Sequence, residues 1–357
     1  MLYNTLKKEI LEGWFMTGRL ICALLVGFAT AVLVGYFYIP WLRRMKAGQE
    51  IREDGPKWHQ SKAGTPTMGG VIFIVAVAVT VFTAGFPSIR KDELGAVYVL
   101  LFAVFFGAIG FLDDYKKVQK KQNLGLSARA KFLLQVLAAA ALLALLRMEG
   151  YLKPELYVPF FNCTWELPVW LYYILAIFIV VGTVNSVNLT DGVDGLAAGT
   201  SVPVFLFYTA AAFVSYKIYG GESGAALGVF CAGLTGGLFG FLIYNFHPAR
   251  VFMGDTGSLF LGGAVCGMAF ASDMPLILIP LGIMFILETM SDLIQVSYFK
   301  LTHGKRVFRM APFHHHLEMG GWLGHRWKET QIFALFVSVT FIMAVVSFLA
   351  VLKRAGL

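Results

Sequence analysis

Charged side chains are scarce in this sequence. Only 14% of its 357 residues are Asp, Glu, Lys or Arg, against 58% hydrophobic, and the mean hydropathy is +0.71. A soluble domain carries roughly a quarter charged residues. So small a polar complement cannot cover a water-facing surface, which excludes a soluble enzyme and implies an integral membrane protein. Cysteine is sparse too. Of Cys22, Cys163, Cys231 and Cys266, three lie in apolar runs, so no disulfide framework is expected. There is no GxxxxGK[ST] run, no HExxH helix and no EF-hand loop, which excludes a P-loop, a zincin-type metal site and an EF-hand. The opening MLYNTLKKEILEGWFMTG is amphipathic and has no small-residue cleavage site. The first span is therefore expected to act as its own signal.

What is present is a series of apolar segments. Ten candidate spans are read at about 19–39, 68–86, 94–112, 130–148, 168–184, 196–216, 224–244, 258–272, 274–299 and 331–352. The expected fold is one all-α polytopic membrane domain over residues 1–357. An even span count puts both termini on one side. The loops 40–67, 113–129, 185–195, 245–257 and 300–330 then share a face, and with Lys131 they hold most of the 29 basic residues. The positive-inside rule makes that face cytoplasmic and both termini external. The net charge of +8 fits such loops, anionic substrates or both. No nucleic-acid partner is expected.

The titratable groups are sorted in the same way. His59, His247, His303, His314, His315, His316 and His325 all fall in the inside loops. So do Asp54, Asp113, Asp114, Asp191, Asp194 and Asp255. A bare anchor has no reason to sort them, so the expectation is an active site built from five cytoplasmic loops.

Each loop has its own chemistry. GPKWHQSKAGTPTMGG (55–70) has the glycines, prolines and hydroxyls of a backbone that folds around a ligand, with Lys62 as a point charge. A basic linker would look similar. DDYKKVQKKQNLGLSARAK (113–131) opens on two carboxylates at a helix end. A solvated helix end explains its lysines but not Asp113 and Asp114, because negative charge there opposes the helix dipole. NSVNLTDGVDG places Asn185, Asn188, Asp191 and Asp194 three residues apart, which suits a polar ring, a sugar or a cation. GDTGS offers Asp255 at a helix start, where backbone N–H groups attract phosphate; an ordinary N-cap is the plainer reading. HGKRVFRMAPFHHHLEMGGW groups His314, His315 and His316 with arginines, which suits phosphate better than zinc. Two features lie inside spans. GLTGGLFG (233–240) has small-residue spacing for close helix packing, with a dimer contact as one reading. Glu288, Asp292 and Gln295 share one helical face, expected to line the site or a lipid groove, and their long span is expected to tilt or break.

Basic residues, Mg2+-type carboxylates and an amide-rich loop at a membrane surface suit phosphoryl transfer from a soluble nucleotide conjugate to a lipid. The motifs GPKWHQSKAGTPTMGG, DDYKK, NSVNLTDGVDG, VFMGDTGS and FRMAPFHHHLE resemble, in order, those of the phospho-N-acetylmuramoyl-pentapeptide transferases, a branch of the polyprenyl-phosphate N-acetylhexosamine-1-phosphate transferase superfamily. The resemblance spans about residues 50–325. It implies transfer of phospho-MurNAc-pentapeptide from its UDP conjugate to undecaprenyl phosphate in the bacterial inner membrane, giving lipid I and UMP. That is the first membrane step of peptidoglycan synthesis, on which cell shape and division depend.

It further implies a nucleophile or base in Asp113 or Asp114, and Mg2+ on Asp255. Lys62, Asn188, Asp191, Asn245 and Phe252 match positions around the nucleotide. Thr67, Lys117, Lys121, Lys131, Asp194, Ser258 and the three histidines match other active-site positions. A homodimer and inhibition by nucleoside antibiotics such as tunicamycin are also implied. The rivals are an N-acetylglucosamine-1-phosphate transferase and, from another class, a membrane transporter. No pair of broken helices in two halves supports the transporter.

Overall fold

The computed structural model describes residues 2–45, 62, 64–120 and 124–357, with side chains from Gly13 onward. Asp54, His59 and Lys121 lie outside the described residues. The helices run in the order α1 (Leu2–Arg44), α2 (Val71–Thr83), α3 (Phe86–Ile89), α4 (Gly95–Lys120), α5 (Ala128–Met148), α6 (Val169–Thr190), α7 (Leu196–Tyr219), α8 (Glu222–Asn245), α9 (Gly254–Ala271), α10 (Leu278–Leu281), α11 (Ile283–Leu301), α12 (Phe313–Glu318) and α13 (Glu329–Arg354). A chain crossing hydrocarbon must satisfy its backbone internally, which a helix does. The chain is accordingly a polytopic membrane protein of the all-α class.

Each of the ten apolar segments read from the sequence forms helix. Among the described residues, seven helices are long and apolar enough to cross a bilayer, or eight counting one bent pair. The two shorter segments are α2 and α9. With 13 residues α2 is about 20 Å long, against a hydrocarbon core of about 30 Å. α9 has 18 residues, several of them glycine. The ninth segment breaks as expected. A 3-10 turn (Pro275–Ile277) and α10 meet α11 at 79°, around Gly282.

Among the described residues, one element is not helical. Between α5 and α6, strands β1 (Glu155–Val158) and β2 (Cys163–Glu166) form an antiparallel hairpin, with Glu155 opposite Glu166. The guanidinium of Arg354, the last residue of α13, lies 4.3 Å from the Tyr157 ring centroid and bonds the Asp273 carboxylate at 3.1 Å. The hairpin thus sits at the far end of the bundle from the loops of interest.

α7 and α8 are buried for most of their length, while α1, α5, α6 and α13 present much of theirs outward. The run 233–240 serves packing within the chain: α8 lies against α1. A Cβ at Gly236 would collide with the Leu24 carbonyl, and one at Gly240 would crowd α1 around Phe28 and Ala31. That corrects the dimer reading of this stripe, because its small faces are already filled from within the chain, Gly236 and Gly240 by α1 and Gly233 and Gly237 by Thr80, Phe73 and Ala76 of α2. α4 and α9 meet as closely, and that contact builds the site.

Candidate active site

The end of α4 faces the start of α9. Asp113 and Asp114 are 3% and 2% exposed. Asp114 Oδ2 accepts from the Thr256 backbone N–H at 2.9 Å and from its hydroxyl at 2.7 Å, and Oδ1 accepts from the Asp255 N–H at 3.2 Å. The helix-start position of α9, Met253, provides no side-chain cap. Asp114 therefore caps α9 from another helix, and the positive end of α9 offsets the unfavourable placement on α4. Two glycines permit the approach. At Gly110 a Cβ would collide with the Asp255 carbonyl. At Gly254 (φ +69) it would collide with the Asp114 carboxylate and the Thr67 hydroxyl.

Asp113 has other partners. Its Oδ1 accepts from the Leu126 N–H at 2.7 Å, and its Oδ2 pairs with Lys117 Nζ at 2.6 Å. Lys117 also reaches Asp255 Oδ2 at 2.8 Å, and Lys131 of α5 reaches the same oxygen at 2.9 Å. From α6, Asn188 donates to Asp255 Oδ1 and to Ser258 Oγ, both at 2.7 Å. Asp113, Asp114, Asp255, Lys117, Lys131, Asn188 and Ser258 thus form one cluster. Oxygens of the three carboxylates lie within 4.8 Å of one another. Such an oxygen-only set fits a hard divalent cation, and the two ammonium groups offset part of its negative charge here.

A second cluster joins four loops. Lys62 Nζ donates to Asp194 Oδ1 and to Glu329 Oε2, each at 2.7 Å. Asp194 Oδ2 accepts from the Ala249 N–H at 3.0 Å and pairs with His247 Nδ1 at 3.0 Å. Asp191 lies half-buried between the clusters. Burial pushes its carboxyl well above the usual carboxylate range, and the charges of Asp255, Asp114 and Asp194 push it further.

The three histidines diverge. His314 Nδ1 bonds Glu288 Oε2 at 2.8 Å, while its buried Nε2 has no partner among the described residues and packs against Gly192. His315 Nδ1 bonds Glu318 at 2.7 Å. His316 Nδ1 accepts from the Arg309 N–H at 3.1 Å, with its ring among Phe308, Phe313 and Trp322. Burial, then the charge of Arg309, lowers the pKa of His316.

The remaining expected residues are more scattered. Thr67 is buried beside Gly254, and Phe252 is tied by its backbone to Pro66 and Gly69. Asn245 donates to the Val251 carbonyl at 2.9 Å and leaves a buried Oδ1 with no partner among the described residues. Asn185 turns away, pairing its amide with Gln135 at 2.7 Å. Gln295 bonds the backbone of Val307 and Phe308 at 3.0–3.1 Å and so pins the arginine-rich loop. Sequence reasoning passed over Thr256 and Glu329. Both stand at helix starts, where such residues are ordinary, and only the partner across the fold distinguishes them.

Comparison with known proteins gives a consistent result. The family model described as glycosyl transferase family 4 matches residues 96–273, and phospho-N-acetylmuramoyl-pentapeptide-transferase signature 1 matches residues 62–74. A phospho-N-acetylmuramoyl-pentapeptide-transferase of Caldanaerobacter subterraneus is 47% identical over 336 residues, covering 93% of this chain and 99% of the relative. One of Clostridium acetobutylicum is 43% identical over 339 residues, 94% of this chain and all of the relative. One of Listeria monocytogenes is 41% identical over 330 residues, 92% of this chain and 97% of the relative.

Proposed function

The chain belongs to the phospho-N-acetylmuramoyl-pentapeptide transferases, and on that premise we propose how its residues divide the reaction. The enzyme transfers phospho-MurNAc-pentapeptide from its UDP conjugate to undecaprenyl phosphate, giving lipid I and UMP. This is the first membrane step of peptidoglycan synthesis.

The carboxylate cluster at the α4–α9 contact carries the proposal. It joins three acidic groups, two lysines and a helix N-terminus at one end of a spanning helix. An oxygen of the lipid phosphate attacks the phosphorus that bears the sugar. The bond from that phosphorus to the bridging oxygen breaks, and the bridging oxygen leaves with UMP. Asp113, beside Lys117, takes the proton of the lipid phosphate; Asp114, with both oxygens bound by α9, holds the two helices in register. Lys117 and Lys131 share the charge of the diphosphate. Asp255, with Asp113 beside it, would hold Mg2+, which supplies charge neutralisation at the leaving phosphate when bound.

Phe111, Leu112 and Tyr115 are exposed on the same stretch of α4, so a lipid-anchored phosphate can reach Asp113 from the bilayer. The nucleotide occupies the region of Lys62, Asp194, Asn245 and Phe252, where the unpartnered Asn245 Oδ1 suits a ring N–H. The site faces the cytoplasm in a bacterial inner membrane, as the basic loops favour. A homodimer and sensitivity to nucleoside inhibitors follow from family membership and are proposals of the same rank.

The test is donor choice. Purified protein with undecaprenyl phosphate should release UMP from UDP-MurNAc-pentapeptide. Turnover with UDP-N-acetylglucosamine alone would assign it to the N-acetylglucosamine branch instead.

A further inference from the structure

We propose that Glu329 is a positioning residue for Lys62 and, through it, for the nucleotide end of the substrate. The proposal rests on the reading of Lys62 and Asp194 as nucleotide-site groups. An acidic residue in the first turn of a helix is ordinarily explained by the helix dipole. In α13 the helix start already has a side-chain partner, since the Gln331 side-chain oxygen accepts from the Lys328 backbone N–H at 2.9 Å. The Glu329 carboxylate turns elsewhere.

Its Oε2 accepts from Lys62 Nζ at 2.7 Å and from the Asp194 backbone N–H at 3.3 Å, and lies 3.5 Å from His247 Nδ1. One carboxylate oxygen thereby gathers the first, third and fourth loops onto the last. The Glu329 and Lys62 side chains are 12% and 16% exposed, so water screens the pair only partly. Asp194 holds the same ammonium group at 2.7 Å. A lysine has a long flexible stem, and one carboxylate alone would leave it considerable freedom. Two carboxylates fix it, so its ordering cost is met before substrate arrives. The same acidic cluster has the donor types of a cation site, but Lys62 Nζ already stands between the carboxylates.

Kinetics of Glu329→Gln, Glu329→Asp, Lys62→Gln and the double variant Lys62→Gln/Glu329→Gln test this in the purified full-length enzyme. Glu329→Gln should raise the donor KM about tenfold, with kcat changed less than about threefold and the KM for undecaprenyl phosphate unmoved. UMP should weaken as an inhibitor in parallel. Glu329→Asp should recover part of the loss. In the Lys62→Gln background, Glu329→Gln should add little, because the two act as one unit. The proposal is overturned if Glu329→Gln and Glu329→Asp lower kcat with donor KM unchanged, or if the effects of the Lys62 and Glu329 changes multiply. If Lys62→Gln itself leaves the donor KM unchanged, the nucleotide-site reading fails, independently of what Glu329 does.

Discussion

Asp113 and Asp114 are adjacent in sequence but meet different surroundings, and that difference can be measured. Asp114 gives both oxygens to the N-terminus of α9. Asp114→Asn would turn an amide toward those N–H donors, so it should lose at least about 100-fold in activity and also about 1–3 kcal/mol in stability. Asp113→Asn should lose activity to a similar extent with a smaller change in melting temperature, since Asp113 takes a single backbone N–H and its ion partner Lys117 keeps Asp255. Thermal melts beside UMP-release assays separate the two. Equal melting temperatures for both variants would remove the capping role from Asp114.

Asp191 gives a pH-dependent effect. Its carboxyl is raised by burial and by three neighbouring carboxylates. The folded state therefore holds this proton where the unfolded chain has released it, and the resulting cost to stability grows as pH rises above the ordinary carboxylate range. Asp191→Asn removes that cost. Measured without divalent cations, the melting temperature of the wild type relative to Asp191→Asn should fall as pH is raised from about 4 to 7. A constant difference would contradict the shift.

At the scale of elements, the close contact of α4 and α9 sets the geometry. A Cβ at Gly110 would meet the Asp255 carbonyl. Gly110→Ala should push the helices apart, separate Asp114 from Thr256, and abolish most activity. Retained wild-type turnover would show that the contact can relax without consequence. The helices themselves were legible from apolar run length, and the break near Gly282 from a run longer than one bilayer. The shortness of α2 and the hairpin at 155–166 were not. The apolar run read at 68–86 outlasts the 13-residue helix Val71–Thr83, and strand pairing depends on a partner rather than on the run itself. The arrangement of α1 against α8 was half legible: glycine spacing announced close packing but not whether the partner was in the same chain.

At the scale of the whole molecule, the sorting of histidines and aspartates into alternate loops pointed to a candidate site at one end of the bundle. The pairing of Lys117 and Lys131 with Asp255, from helices far apart in sequence, could not be read. Nor could the partners of His314, His315 and His316, whose adjacent side chains point apart and bond three different groups. Orientation gives a further prediction. Cys163 is exposed on the hairpin, opposite the site. A membrane-impermeant thiol reagent should label it on intact cells, while Lys120→Cys in a Cys163→Ser background should react only after permeabilisation. The reverse pattern would put the site on the outer face.

The central claim is that the carboxylate cluster performs Mg2+-dependent phosphosugar transfer to a lipid. Its most direct measurement is UMP release from UDP-MurNAc-pentapeptide by purified wild-type and Asp255→Asn protein, with undecaprenyl phosphate present, as Mg2+ is titrated after EDTA treatment. The wild type should be silent in chelator and recover with Mg2+, while Asp255→Asn should stay at least about 100-fold slower at every Mg2+ concentration. Wild-type turnover that persists in EDTA, or an Asp255→Asn variant that matches the wild type, would contradict it.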